Sequence, residues 1–357
     1  MQNYFPTYTD ITEWNKKMYS STGGTRAKNI YTNPVNEKEY FFKGSKKLPD
    51  GSFKYTTEFW SEIIASKIGQ WLGFNILDYN IGYDENNEQQ IGCLSKSMID
   101  YAENNLSEGI EYLRGYDSKY NPETDENRYT FEFIQQALAS FMLSNYKEHF
   151  VKMMVFDAII GNSDRHQENW GFITKFKETI EEIEDVIKNK KSYWGKIIPS
   201  FKKTMAKSIL MQKNADKASV LRSQHIVAQT DFSPIYDSGC CLGRELLNDK
   251  IELYLIDNQA LNSYVLKGKS EIRWRAGNKP KHFDLLQELI KVYPQVFYEV
   301  KKCILNEFSK EKLEILVNNI DSNLPGKLEN LKLSQNRKNL IVKLIPLRIE
   351  KFLSITQ

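Results

Sequence analysis

Between an apolar run that ends at Ile160 and another that begins at Trp170, the chain sets Asn162, Asp164, Arg165, His166, Gln167, Glu168 and Asn169 within eight positions. A loop this polar, pinned between apolar segments, is held by a rigid scaffold and turns its side chains toward something. Asp164 and Asn169 stand five residues apart. That spacing suits a phosphoryl-transfer loop, where a carboxylate orients the attacking hydroxyl and an amide oxygen holds a metal ion.

Such chemistry also needs cations and backbone donors for nucleotide phosphates, and further oxygen ligands for the metal. Candidates follow one another along the chain. Gly23 and Gly24, inside the small, polar stretch Ser20–Lys28, permit a backbone that aims N–H groups at an anion. Taken alone, a Gly-Gly hairpin turn is the more frequent explanation of such a pair. Lys43 closes the aromatic run Glu39–Lys43 and reads either as a solvated strand end or as a phosphate ligand. Glu58 and Glu62, one helical turn apart, are candidates to pair with that lysine, or are solvent-facing carboxylates favoured by a helix dipole. Asp237 follows the short apolar strand Phe232–Tyr236 and precedes Ser238-Gly239.

The elements that must position these residues read as follows. Residues 7–98 alternate strands and turns, with one helix over about 57–72 whose Trp60, Ile63, Ile64, Ile68, Trp71 and Leu72 share a face, and Gly73 as its cap. A hairpin of two strands covers about 75–99. A polar, loop-rich connection runs from Asp100 to Asn127. Two helical stripes follow, Phe131 to Met142 and Phe150 to Ile159, the second running into the polar loop. The tract 175–224 is Lys-rich, contains Trp194, and reads as solvated helix. From Phe283 to Leu353 the pattern is helical, broken at Pro294 and near Pro325.

The bulk properties narrow the class. A chain of 357 residues with 41% hydrophobic and 27% charged residues is globular, large enough for a bilobal unit. A net charge of +3, from 49 basic and 46 acidic residues, gives no reason to invoke nucleic acid. Cys93, Cys240, Cys241 and Cys303 make no zinc-ligand spacing and read as buried thiols in a reducing compartment. Neither a signal peptide nor a membrane-spanning run is visible, so the expectation is a soluble, cytoplasmic protein, with secretion by a specialised apparatus left open.

The run Phe156-Asp157…Gly161-Asn162-Ser163-Asp164-Arg165-His166…Asn169, with Ile235-Tyr236-Asp237 downstream, resembles the HipA-like serine/threonine kinases. It is similar above all to their compact members, of the CtkA and HipT types. A related Gly-Asn-x-Asp-Arg-His signature occurs in type II phosphatidylinositol 4-kinases. The resemblance covers about residues 20–289. It implies an α+β, bilobal protein-kinase-like fold, with a β-rich N-lobe over 1–98 and a mostly helical C-lobe over 99–357. It also implies use of ATP and Mg2+ and a protein substrate.

Carried over residue by residue, the resemblance makes Asp164 the base or hydroxyl-orienting residue, and Asn169 and Asp237 the metal ligands. Lys43 becomes the phosphate-contacting lysine and Glu62 its helix partner. The adenine-reading hinge falls at Ser97-Met98-Ile99-Asp100. The usual His-Arg-Asp order is replaced by Asp-Arg-His, so His166, Arg165 and Asp157 are expected to brace the loop. Ser20, Ser21, Thr22 and Thr25, in or beside the Gly-rich turn, become candidates for autophosphorylation. The chain begins too close to Gly23 for the extra subdomain that HipA carries ahead of its nucleotide loop, so an antitoxin or small accessory subunit is an implied partner. The 175–224 insertion is an implied lid, platform or partner contact. Competing readings are a lipid kinase, with the Lys-rich insertion as its membrane face, a silent kinase-like binding module, and a nucleotidyl-transferring enzyme.

Overall fold

The computed structural model describes residues 4–17, 28–100, 103–181 and 223–356. Gly23, Gly24, Ser20, Ser21, Thr22, Thr25 and most of the 175–224 insertion lie outside the described residues.

The first part of the chain builds a curled sheet around one helix. Its elements are β1 (Tyr8–Asp10), β2 (Asn15–Lys16), β3 (Lys28–Thr32), β4 (Glu39–Lys43), β5 (Lys46–Lys47), β6 (Phe53–Lys54), α1 (Glu58–Trp71), β7 (Asn80–Tyr83) and β8 (Ile91–Lys96). Six strands pair in the order β1-β7-β8-β4-β3-β2, and β5 and β6 form a separate ribbon. Neighbours are antiparallel except β1, which runs parallel to β7. In β4, Lys43 lies opposite Cys93 of β8 and Lys28 of β3. The lysine is therefore anchored between two strands.

Helix α1 ends where Gly73 takes φ +77°, a left-handed conformation that costs glycine nothing. Its expected apolar face is buried, but so is nearly all the rest of the helix, including Glu58 at 2% and Glu62 at 1% exposure. The reading of these carboxylates as solvated is therefore corrected. The helix lies between the sheet and later parts of the chain, with Trp60 Nε1 donating to the Leu331 carbonyl at 3.2 Å.

The second part is mainly helical. It comprises β9 (Asn104–Glu108), α2 (Gly109–Tyr116), α3 (Phe131–Ser140), α4 (Lys147–Ile160), β10 (Gly171–Glu181), β11 (Ser223–Phe232), α5 (Asn248–Ile256), α6 (Asn258–Lys267), α7 (His282–Val292), α8 (Pro294–Glu307), α9 (Lys310–Asn318) and α10 (Gln335–Ile355). Helix α4 is buried continuously from Met153 to Ile160 and packs against α7, α8 and α10. A helix apolar on all sides must be enclosed in this way. Pro294 opens α8 at its first turn, where the missing N–H has no helical partner to lose.

Three expectations need correction. The tract 100–127 holds a strand and a helix, β9 and α2, rather than loop alone. The start of the Lys-rich tract is not helix: β10 continues to Glu181, paired antiparallel with β11 on one side and β9 on the other. Charge patterning missed this because cross-strand pairing, which is non-local, decided it. Phe141 and Met142, assigned to a buried stripe, are 41% and 68% exposed, because α3 stops at Ser140 and Met142 takes φ +60°.

The α1–β7 connection is stitched directly to the segment ahead of Asp237. Ile76 bridges Ile235, with Leu77 N–H donating to the Ile235 carbonyl at 2.9 Å and Ile235 N–H to the Asn75 carbonyl at 2.8 Å. Among the described residues no helix is long and apolar enough to cross a membrane.

Gly92 in β8 has no room for a side chain: a Cβ there would lie 2.5 Å from the Lys43 carbonyl oxygen. Gly92→Ala should therefore force β8 away from β4 and lower stability by about 1–3 kcal/mol. Denaturant unfolding measures this, and an unchanged midpoint would show that the strands can separate at no cost.

Candidate active site

The polar loop leaves α4 through Gly161, which takes φ +71°. The buried guanidinium of Arg348, from α10, packs against this glycine; a Cβ there would lie 2.5 Å from it. Arg348 also donates to the Ala158 carbonyl at 3.2 Å. The exit of α4 is thus fixed by both backbone conformation and a neighbouring cation.

Beyond Gly161 the loop is organised by Arg165, which is 1% exposed. Its Nε and Nη2 donate to the two carboxylate oxygens of Asp157 at 3.0 and 2.7 Å. Nη2 also reaches Ser238 Oγ at 3.0 Å. Nη1 donates to the Asn169 carbonyl at 2.8 Å and the Tyr236 carbonyl at 2.5 Å. All five N–H bonds of the guanidinium are used. Burial opposes the charge, but the Asp157 carboxylate more than restores it, and Arg165 is held above its ordinary pKa. One side chain therefore ties the end of α4, the loop, and the residues on both sides of Asp237.

The remaining loop contacts are local. Asn162 Nδ2 donates to Asp157 Oδ1 at 2.9 Å, and Asn162 Oδ1 accepts from the Asp164 N–H at 3.3 Å. Asn169 Nδ2 donates to the Asp164 carbonyl at 2.7 Å, which leaves its Oδ1 as the remaining acceptor. His166 accepts the Glu168 N–H on Nδ1 at 3.3 Å and the Asn169 N–H on its carbonyl at 2.9 Å. Tyr129 donates to the Arg165 carbonyl at 3.0 Å and accepts from Trp170 Nε1 at 2.8 Å.

Across from the loop, Lys43 Nζ lies 3.2 Å from Glu62 Oε2 and 2.5 Å from Asp237 Oδ1. The other Glu62 oxygen accepts the Ser238 N–H at 2.7 Å. Asp237 takes φ +53°, a left-handed conformation that Asp tolerates better than most residues. Gly239 passes close to the Glu62 carboxylate: a Cβ there would lie 2.9 Å from Glu62 Oε2, which would have to shift. Of the two α1 carboxylates, Glu62 meets Lys43, whereas Glu58 pairs with Arg244 at 3.3 Å.

Sequence reasoning missed Arg244 and gave Cys240 no role beyond a buried thiol. Cys240 is buried, and its Sγ donates to Asp164 Oδ2 at 3.0 Å and accepts from Arg244 Nη2 at 2.8 Å. Arg244 also lies over the Tyr55 ring, 4.1 Å from its centroid. No sequence signal marks these contacts, because Tyr55, Glu58, Asp164, Cys240 and Arg244 converge only in the fold.

At the end of β8, the Ser97 N–H donates to the Glu39 carbonyl at 2.8 Å and the Ile99 N–H to Ser97 Oγ at 3.2 Å. Between them, the backbone of Met98 has no partner among the described residues.

The oxygen donors suit a hard, small cation. Asn169 Oδ1 and the Asp237 carboxylate are an amide and a carboxylate oxygen of the kind Mg2+ accepts, and Mg2+ completes its shell with water and phosphate oxygens. Among the described residues no group of three or more His, Cys, Asp or Glu forms a cage.

Two stability predictions arise here. Asp157→Asn leaves the buried Arg165 charge uncompensated and should cost about 3–5 kcal/mol in denaturant unfolding. His282, buried beside Arg348 with Nε2 unpartnered among the described residues, is pushed down to about 3 by burial and then by Arg348. It stays neutral in the fold, while the unfolded chain takes up a proton below about 6.5. Stability should therefore fall as pH drops from about 6.5 toward 3, by up to roughly 1.4 kcal/mol per pH unit from this residue. His282→Phe should flatten that part of the profile; an identical slope would exclude the histidine as its source.

No protein-family model matches the sequence, and no curated protein matches it. Among solved structures, the chain is similar to the Helicobacter pylori proinflammatory kinase CtkA, with a TM-score of 0.66 at 17% identity over 98% of this chain and 97% of that one. At that identity the likeness speaks for architecture, and it spans both the curled sheet and the helical part. The chain has the bilobal α+β fold of a CtkA/HipA-like kinase.

Proposed function

We propose that the protein is a Mg-ATP-dependent serine/threonine protein kinase. The observation that carries this reading is the convergence of Lys43, Glu62 and Asp237, with Arg165 tying the residue before Asp237 to the loop that carries Asp164 and Asn169. A buried lysine held by two carboxylates, joined through Arg165 to a loop that carries an amide and a further carboxylate, is an arrangement for binding phosphates and a metal together.

In this reading Lys43 holds the nucleotide phosphates and Glu62 fixes the lysine's position. Asn169 Oδ1 and Asp237 would hold Mg2+, which neutralises charge on the phosphate oxygens when bound. Asp164 orients the substrate hydroxyl and accepts its proton. A Met98 backbone without a partner among the described residues supports a hinge that reads adenine, and Gly23 and Gly24 are the residues assigned to the phosphates. Asp157, Arg165 and His166 hold the loop without exchanging protons. The division into lobes falls at 98/99. A protein is the substrate, and an antitoxin or small accessory subunit is a partner.

The test is transfer from γ-labelled ATP with Mg2+, to cell extract and to phosphoinositide vesicles. Protein should be labelled, and Asp164→Ala should lower the rate by about 10²–10⁴-fold. Label only in lipid would assign a lipid kinase; label from α-labelled ATP alone, a nucleotidyl transferase; no transfer, a binding module.

Autophosphorylation is proposed at Ser20, Ser21, Thr22 or Thr25, where an added phosphate would repel those of ATP. Alanine at all four should abolish self-labelling while extract proteins are still labelled. Undiminished self-labelling would place the site elsewhere.

A further inference from the structure

The second α1 carboxylate and the thiol beneath Asp164 belong to one chain of contacts. Glu58 Oε2 pairs with Arg244 Nη1 at 3.3 Å. Arg244 Nη2 donates to Cys240 Sγ at 2.8 Å, and Cys240 Sγ donates to Asp164 Oδ2 at 3.0 Å. Among the described residues the thiol is the only donor to the Asp164 carboxylate. A thiol has one hydrogen, and the Asp164 oxygen at 3.0 Å outcompetes Glu58 Oε1 at 3.7 Å. Burial, then the Asp164 charge, push the Cys240 thiol up, so it keeps its proton and remains a donor.

We propose that Cys240 is a positioning residue for Asp164, and that Arg244, anchored by Glu58 and the Tyr55 ring, sets the sulfur in place. The proposal rests on the phosphotransfer reading of Asp164. Chemically, sulfur is a useful spacer here. An arginine placed directly on Asp164 would stabilise its charge strongly and lower its basicity. A thiol is a weak donor. It fixes the carboxylate rotamer while keeping the guanidinium one atom away. The arrangement also makes the orientation of Asp164 depend on α1, through a carboxylate other than the one that meets Lys43.

Two readouts test this. The first is the infrared S–H stretch of Cys240, isolated as the difference between the wild-type chain and Cys240→Ala. It should lie at the lower frequency of a hydrogen-bonded thiol and move upward in Asp164→Ala; a band that does not move would overturn the proposal. The second is steady-state transfer from ATP. Cys240→Ala should lower kcat by about three- to tenfold, the scale of one modest hydrogen bond, with KM for ATP unchanged. Cys240→Ser, which restores a donor, should recover most of the loss, and Arg244→Ala should lower kcat in the same direction. Thermal melts establish that each variant is folded. Unchanged kcat in Cys240→Ala, or equal losses in the Ala and Ser variants, would reduce Cys240 to a packing residue. A moving S–H band in a chain that transfers no phosphate would instead sink the phosphotransfer reading, and the positioning role with it.

Discussion

The site depends on one enclosed cation. Arg165 satisfies every N–H it has: two on Asp157, one on Ser238 and two on the carbonyls of Asn169 and Tyr236. Those partners come from the end of α4, the polar loop, and the segment around Asp237, which lies 68 positions after Asn169. Burying a guanidinium is costly unless it is paired and fully hydrogen-bonded. The segments therefore have one low-energy arrangement, the one in which all of them reach the same guanidinium. Lysine, with one compact point charge, cannot reproduce that planar fork.

Helix α1 plays the complementary part from the other lobe. Its two carboxylates, one turn apart, reach to different sides: Glu62 goes to Lys43 and the Ser238 N–H, while Glu58 goes to Arg244. Gly239 lets the chain pass close beneath both of them. The placement of α1 is thus registered twice, against the lysine of β4 and against the segment that follows Asp237. Any shift of the helix is felt on both sides of the site.

Much of the architecture was legible because it rests on local rules. Periodicity marked α1, α3, α4 and the C-terminal helices, and Gly73 and Pro294 marked two boundaries. The polar loop stood out because Asp164 and Asn169 lie close in sequence. What was hidden depended on distant partners. Nothing near Cys240 announces that it will meet Asp164, and nothing in the Lys-rich tract announces that its start will pair with the strand that ends at Phe232. The choice between Glu58 and Glu62 was equally undecidable by spacing, since both face the same way on the helix. Only the register of β4 against β8, which fixes where Lys43 ends, separates them.

The saturation of Arg165 also bears on control. An arginine with an unspent donor can be recruited by a newly added phosphate group, which is how many charge-based switches order a loop. Arg165 has none to offer. This loop is assembled by the fold itself and waits for no incoming anion, so any device that governs the site through this residue must act by subtraction, prising away one of the five acceptors that already hold it.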